Sequence, residues 1–123
     1  MSIPADRHYT KEHEWVILQE DVATVGVTAY AAEELGDVVY VDLPEVGAQL
    51  TAGEPCGEIE STKSVSELYA PVSGEVQSVN EAVTDNPEMV NEDPYDAGWL
   101  FTVKVSGTGD FLDAEAYGEL TTN

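Results

Sequence analysis

Lys63 is the side chain whose type and position most favour chemistry in this sequence. The 123 residues include 25 Asp+Glu but only 4 Lys+Arg. The basic residues are Arg7, Lys11, Lys63 and Lys104, so Lys63 has no basic neighbour between residues 12 and 103. A lysine is commonly a solubilising charge, but every other solubilising charge near Lys63 is negative. Its isolation therefore indicates a specific role.

The surroundings of Lys63 predict that it lies at the tip of a β-hairpin. Cys56-Gly57-Glu58-Ile59 precedes it and the run from Val65 to Ala70 follows it, and both segments are typical of strands. A lysine at such a tip is exposed and free of strand pairing, so an enzyme that grips the hairpin can reach its amine.

Other chemistry has little basis in this sequence. The single cysteine, Cys56, excludes an intramolecular disulfide and a cysteine metal cluster, and we expect it to be a small buried residue. His8 and His13 lack partners at metal-ligand spacing, so we expect surface or partly packed histidines. The EF-hand pattern is absent as well. We therefore predict no catalytic residue and no metal site.

The elements that must position Lys63 are mainly strands. Glu14 to Leu18 and Val22 to Val27 predict an N-terminal hairpin. Thr28 and Gly36 are suited to begin and end a short helix over residues 29–35. A C-terminal helix is predicted between Asp110 and Leu120, with Asp113 as a cap. Further strands are predicted at Asp37 to Leu43, Pro55 to Ser61, Val65 to Ala70, Gly74 to Asn80 and Gly98 to Val105, a spacing typical of a small barrel or sandwich.

The net charge of -21 at pH 7 restricts the partners. Nucleic acid and anionic lipid surfaces both repel a protein with so large a negative charge. The longest apolar run, Val38-Val39-Tyr40-Val41, is far too short for a membrane span, and the first residues lack the features of a signal peptide. We expect one domain over residues 1–123 in the cytoplasm, with no nucleic-acid or membrane partner.

The acidity itself is interpreted as an adaptation to salt. Self-repulsion destabilises a compact chain at low ionic strength, whereas molar salt shortens the screening length to about 3 Å. The carboxylates are spread along the whole sequence rather than grouped for a cation. The expected source is a halophilic archaeon.

Motifs along nearly the whole chain resemble the glycine cleavage system H protein family. Family members usually carry Val-Lys-Ala at the modified lysine, whereas this chain has Thr62-Lys63-Ser64, a change that is conservative in size. The motifs are, in order, Tyr9-Thr10-Lys11-Glu12-His13-Glu14-Trp15-Val16, Glu33-Glu34-Leu35-Gly36-Asp37-Val38-Val39-Tyr40-Val41, Glu58-Ile59-Glu60-Ser61-Thr62-Lys63-Ser64-Val65, Ala70-Pro71-Val72-Ser73-Gly74-Glu75-Val76, Asn86-Pro87-Glu88, Val90-Asn91-Glu92-Asp93-Pro94-Tyr95 and Gly98-Trp99-Leu100.

The resemblance implies a non-catalytic lipoyl-carrier domain with the barrel-sandwich hybrid fold of lipoyl and biotinyl carriers. Lipoic acid would be joined to Lys63 through an amide. The implied partners are a pyridoxal-phosphate glycine decarboxylase, which loads an aminomethyl group, an aminomethyltransferase, which passes it to tetrahydrofolate, and dihydrolipoamide dehydrogenase, which reoxidises the arm. A lipoate-attaching enzyme is implied as a fourth partner. A prosthetic group also agrees with a chain that lacks catalytic residues.

Residues near the lysine are candidates for contact with the arm. Glu12 or Glu14 could meet the cationic amine of the aminomethylated arm, although either could be a solvated charge. Ser61, Thr62 and Ser64 could contact the arm or only shape the turn. Two alternative functions stay open, a lipoyl or octanoyl relay in lipoate metabolism and, disfavoured by Thr62 and Ser64, a biotinyl carrier.

Overall fold

Two antiparallel sheets form the framework of the protein, seen in a computed structural model that describes residues 5–108 and 111–121. With strands numbered along the chain, the larger sheet has the order β1 (His8–Tyr9), β2 (Glu14–Gln19), β3 (Val22–Val27), β9 (Phe101–Thr108), β8 (Val72–Val79) and β5 (Gln49–Leu50). The smaller sheet has the order β4 (Val38–Asp42), β6 (Pro55–Ser61) and β7 (Val65–Tyr69). This arrangement confirms the mainly β prediction and the N-terminal hairpin.

In the part of the chain that the structure describes, four helices connect and cover the strands. The predicted short helix is confirmed as α1 (Ala29–Leu35), where the Thr28 side chain accepts a hydrogen bond from the Ala31 N–H and Gly36 follows with φ +82°. The helices α2 (Glu81–Asp85) and α3 (Met89–Glu92) were not predicted, because each is too short for its apolar residues to show a period. The fourth helix is α4 (Ala114–Thr121).

The C-terminal helix is confirmed, and it begins directly after the predicted cap, Asp113. The Asp113 carboxylate caps it by accepting a bond from the Ala116 N–H at 2.8 Å. Leu112 lies before the helix and bridges to Tyr9 as a short strand partner. Asp110, the first residue of the segment in which the helix was predicted, lies outside the described residues.

Gly74 permits a close approach of two strands. It lies inside β8 with φ +152°, and a Cβ there would overlap the backbone carbonyl of Lys104. The glycine is needed because β8 and β9 change register next to it, and the two backbones come too close for a side chain.

The main core lies between the two sheets. Alternate residues of the strands supply it, with Val25, Ile59 and Phe101 each at most 2% exposed. A second, aromatic cluster joins β1, β2 and α4 through Tyr9, Trp15 and Tyr117. Within residues 5–108 and 111–121, no helix has the length and apolar character needed to cross a membrane.

Candidate functional site

The hairpin of β6 and β7 presents Lys63 at its tip, as predicted. Glu60 pairs with Val65 as the last residue pair before the turn. The Ser61 N–H donates to the Ser64 carbonyl oxygen at 2.8 Å and closes the turn. The Lys63 side chain is exposed. An amine in this position is accessible to an enzyme that encloses the hairpin end.

The Ser61 hydroxyl organises the turn. Its oxygen accepts hydrogen bonds from the backbone N–H groups of Lys63 at 3.2 Å and Ser64 at 3.1 Å. The hydroxyl also donates a hydrogen bond to the Ser64 carbonyl oxygen, with 3.2 Å between the two oxygens. A side chain that satisfies three backbone groups fixes the tip conformation. Turn geometry therefore accounts for Ser61.

The end of α1 supports one side of this tip. The Thr62 N–H donates to the Asp37 carbonyl oxygen at 3.0 Å. The Lys63 stem lies over Gly36, since a Cβ added to Gly36 would be 3.2 Å from Lys63 Cε. Gly36 thus ends the helix and also leaves room for the lysine, a second role that its position after a helical segment could not reveal.

A cleft of about 280 Å³ begins at the hairpin beside the lysine. One wall is apolar and consists of Val27, Ala31, Leu35, Ile59 and Leu68. The other residues are mostly polar, namely Glu12, His13, Glu14, Glu34, Ser64, Val65, Ser66 and Glu67. Among the predicted arm-contacting residues, Glu12, Glu14 and Ser64 are brought together here. Thr62 instead lines a different groove with Val39 and Asn91.

Glu14 is the one fully buried carboxylate in the described part of the chain, with 2% exposure. Its Oε2 accepts a hydrogen bond from the Tyr69 N–H at 2.8 Å, and its Oε1 accepts one from the Thr10 hydroxyl at 3.3 Å. Burial raises the pKa of Glu14 to about 8, although both hydrogen bonds oppose the shift. Glu14 can therefore change its charge near neutral pH at the wall of the cleft.

His13 forms another part of the cleft that sequence reasoning did not assign. Its Nδ1 lies 2.9 Å from the Tyr117 hydroxyl oxygen, which is also 2.7 Å from Thr28 Oγ1. The residue has φ +67°, and burial lowers the pKa of its imidazole. The expectation of a partly packed histidine is confirmed. The positive φ and the bond from α4 are three-dimensional features, so the sequence carried no signal for this position.

Other potential chemistry is not assembled in the described residues. Burial raises the pKa of the half-buried Cys56 thiol to about 12, which keeps it protonated at neutral pH. Over residues 5–108 and 111–121, no group of three or more His, Cys, Asp or Glu side chains is placed to hold a metal ion.

Close relatives match the chain over almost its full length. A protein of Beutenbergia cavernae named glycine cleavage system H protein is 65% identical over 121 residues, which cover 98% of each chain. One of the same name from Thermobifida fusca is 61% identical, and the match covers 98% of this chain and 97% of the relative. The relatives are bacterial, so the comparisons do not support the predicted origin from a halophilic archaeon.

Comparison of the fold with solved structures points to the same family as the sequence relatives. A crystal structure of a glycine cleavage system H protein from Mycobacterium marinum superposes with a TM-score of 0.93 at 47% identity, covering 95% of this chain and 97% of that one. This match confirms the predicted barrel-sandwich fold. The model of the glycine cleavage H-protein family matches residues 7–122. The chain therefore belongs to the glycine cleavage H-protein family.

Proposed function

We propose that Lys63 is the residue of this chain that carries lipoic acid, joined through an amide to its Nζ. As a member of the family, the chain is a lipoyl carrier of the glycine cleavage system and not an enzyme. The observation that carries the choice of Lys63 is its place, exposed at a hairpin tip with its stem over Gly36 and a cleft beside it.

The competing lysines lie in different surroundings. Lys104 lies within β9 and pairs with Val22 and Glu75, so strands flank it on both sides. Lys11 is also exposed, but it lies in the loop after the two-residue strand β1, where it lines a separate groove. An attaching enzyme must enclose a protruding segment to reach the amine, and the β6–β7 hairpin offers one.

The residues of the cleft fit an arm with an apolar stem and a cationic cargo. The wall of Val27, Leu35 and Ile59 can cover methylene groups. Glu12 and Glu14 supply carboxylates for an ammonium group, and Ser64 lies where the stem would enter. We therefore assign Glu12, Glu14 and Ser64 to the bound arm, and Ser61 and Thr62 to the turn that orients it.

The lipoyl group would supply a disulfide that can open, accept a carbon group and close again. The chain's own contribution is to hold, shield and release the cargo. Glu14 binds an ammonium group only as an anion, and a cation in the cleft favours that anion. A cargo bound in the cleft would also be partly shielded from water by the cleft walls.

The partners in this proposal are the glycine decarboxylase, the aminomethyltransferase, dihydrolipoamide dehydrogenase and a lipoate-attaching enzyme, all in the cytoplasm. The proposal also treats residues 1–123 as one lipoyl-carrier domain. A single tethered arm raises the effective concentration of the cargo at each partner.

Acylation in vitro tests the choice of lysine. The purified chain is incubated with a lipoate ligase, lipoate and ATP, and its peptides are then sequenced by mass spectrometry. We expect one lipoyl group, on Lys63, and none on the Lys63→Arg variant. Lys11→Arg and Lys104→Arg are the matched controls and should be modified like the unaltered chain.

Modification of Lys11 or Lys104 in place of Lys63 would overturn the assignment. An octanoyl group recovered on Lys63 from cells, and passed on to other acceptor proteins, would instead favour the relay function.

We further propose that the acidic surface adapts the chain to salt, as in halophiles. All described carboxylates except Glu14, Glu60 and Asp93 are exposed. Their mutual repulsion is therefore open to screening by ions.

A further inference from the structure

We propose that Asn91 is a positioning residue for Lys63, whose side-chain amide fixes residues 36–38 as the support on which the lysine hairpin rests. This inference rests on the proposed attachment of lipoate to Lys63. Asn91 belongs to α3, which is more than 25 residues from the lysine in sequence and carries none of the cleft residues.

The Asn91 amide joins α3 to the segment that follows α1. Its Oδ1 accepts a hydrogen bond from the Val38 N–H at 2.8 Å. Its Nδ2 donates to the Gly36 carbonyl oxygen at 2.8 Å and to the Ala32 carbonyl oxygen at 3.3 Å. One side chain thus satisfies backbone groups on both sides of Asp37.

The segment that Asn91 fixes is the one that contacts the lysine tip. The Asp37 carbonyl oxygen, between the two residues held by Asn91, accepts the Thr62 N–H at 3.0 Å. Gly36 lies under the Lys63 stem, 3.2 Å from Cε at the position of an added Cβ. The chain of contacts from Asn91 to Lys63 therefore passes through one short backbone segment, residues 36–38.

The chemistry at this position requires an amide. One end must accept from the Val38 N–H and the other must donate to the Gly36 carbonyl oxygen, and asparagine does both. An aspartate at this position can still accept the hydrogen bond from the Val38 N–H. Its second oxygen cannot donate to the Gly36 carbonyl oxygen, and its negative charge would lie next to the acidic Asp37 and Glu92. An alanine removes both bonds and leaves the Val38 N–H without its partner.

Loss of the support should lower the fraction of molecules in which the hairpin tip is ordered. An attaching enzyme that binds only the ordered tip then shows an apparent affinity reduced by that fraction, while the transfer step in the bound complex is unchanged. We therefore expect Asn91→Ala to raise KM for the chain as acyl acceptor by roughly three- to tenfold and to leave kcat unaltered.

The test measures lipoylation kinetics of the full chain with a lipoate ligase, together with hydrogen exchange of the Thr62 amide. For Asn91→Ala we expect the higher KM, an unchanged kcat and faster exchange at Thr62. Asn91→Asp should also raise KM and speed the exchange of the Thr62 amide. Measurements are made far below the unfolding temperature of each variant, so that global unfolding does not contribute.

Asn80→Ala is the matched control. The Asn80 side chain also makes three bonds to backbone groups, donating to the carbonyl oxygens of Ala97 at 2.9 Å and Trp99 at 2.7 Å and accepting from the Ala82 N–H at 3.2 Å. Asn80→Ala should destabilise the fold about as much as Asn91→Ala does, but it should leave KM and the exchange of the Thr62 amide unchanged.

The inference is overturned if Asn91→Ala leaves both KM and Thr62 exchange unchanged, or if Asn80→Ala alters them equally. If no variant and not even the unaltered chain is acylated on Lys63, the proposed function fails, and Thr62 exchange alone still decides whether Asn91 supports the tip. If Asn91→Ala does not fold, Asn91→Asp and Asn91→Ser provide the same comparison.

Discussion

The stem of Lys63 lies directly over Gly36, the residue that ends α1, so that a Cβ on Gly36 would be 3.2 Å from Lys63 Cε. Gly36 adopts φ +82° and ψ −156°, a region that is essentially restricted to glycine and costs other residues about 1–3 kcal/mol. A single position thus combines the end of a helix with the support for an exposed lysine.

Gly36→Ala should destabilise the fold by about 1–3 kcal/mol and displace the lysine stem. Gly53→Ala is the matched control, because Gly53 has φ +89° and nothing within 4 Å of an added Cβ. Urea denaturation should give similar losses for both variants. Only Gly36→Ala should shift the NMR signals of the Lys63 side chain, and equal shifts in both would contradict the contact.

Glu14→Gln should change how stability depends on pH. Because burial raises the folded-state pKa of Glu14 from 4.5 to about 8, the folded chain holds a proton that the unfolded chain has lost between these values. Glu14 therefore weakens the fold as pH rises from about 5 to 8, by at most about 1.4 kcal/mol per pH unit. Below the unfolded pKa this cost is absent.

The measurement is the free energy of unfolding of both chains at several pH values. The advantage of Glu14→Gln over the unaltered chain should grow across that window. Glu12→Gln, at an exposed neighbour, is the control and should show no such growth. A difference between Glu14→Gln and the unaltered chain that stays constant with pH would show that Glu14 is already ionised in the fold.

Tyr117→Phe should loosen the cleft from the side of α4. It removes the hydroxyl that bonds to His13 Nδ1 and Thr28 Oγ1, at a site with 0% exposure. We expect a loss of about 1–3 kcal/mol and altered imidazole NMR signals of His13. Tyr40→Phe, at a half-exposed tyrosine on β4, should leave the stability and the His13 NMR signals unchanged. An unaltered His13 signal in Tyr117→Phe would contradict the coupling.

The salt hypothesis predicts a melting temperature that rises as KCl is increased from millimolar to molar, since ions screen the repulsion among exposed carboxylates. A triple variant, Glu45→Gln, Glu54→Gln and Glu88→Gln, removes three exposed charges and should show a weaker dependence. If the melting temperature rose equally steeply with KCl in both chains, the stabilisation by salt would be due to general salting-out and not to screening of these charges.

Much of the fold could be predicted because local signals agree with it. Thr28 and Gly36 bound α1 as their side-chain chemistry requires, and β6 has the predicted ends, Pro55 and Ser61. The β9 strand lies further along than predicted, at Phe101–Thr108, because Gly98 and Trp99 are used by the loop before it. Pairing between strands decided those bounds, and the sequence records pairing only weakly.

The candidate site was predictable in part. The isolation of Lys63 in an acidic chain pointed to the proposed attachment point, and Glu12 and Glu14 were both candidates for contact with the arm. The roles of His13 and Asn91 depend on contacts with Tyr117 and residues 36–38, which lie far away in sequence. Such long-range contacts leave no local pattern, so only the folded chain reveals them.

Lipoylation of Lys63 is tested most simply by the intact-mass spectrum of protein purified from its native host. We predict a mass increase of one lipoyl group that maps to the Lys63 peptide and is abolished by Lys63→Arg. A spectrum with only unmodified Lys63, which stays unmodified after incubation with a competent lipoate ligase, would contradict it.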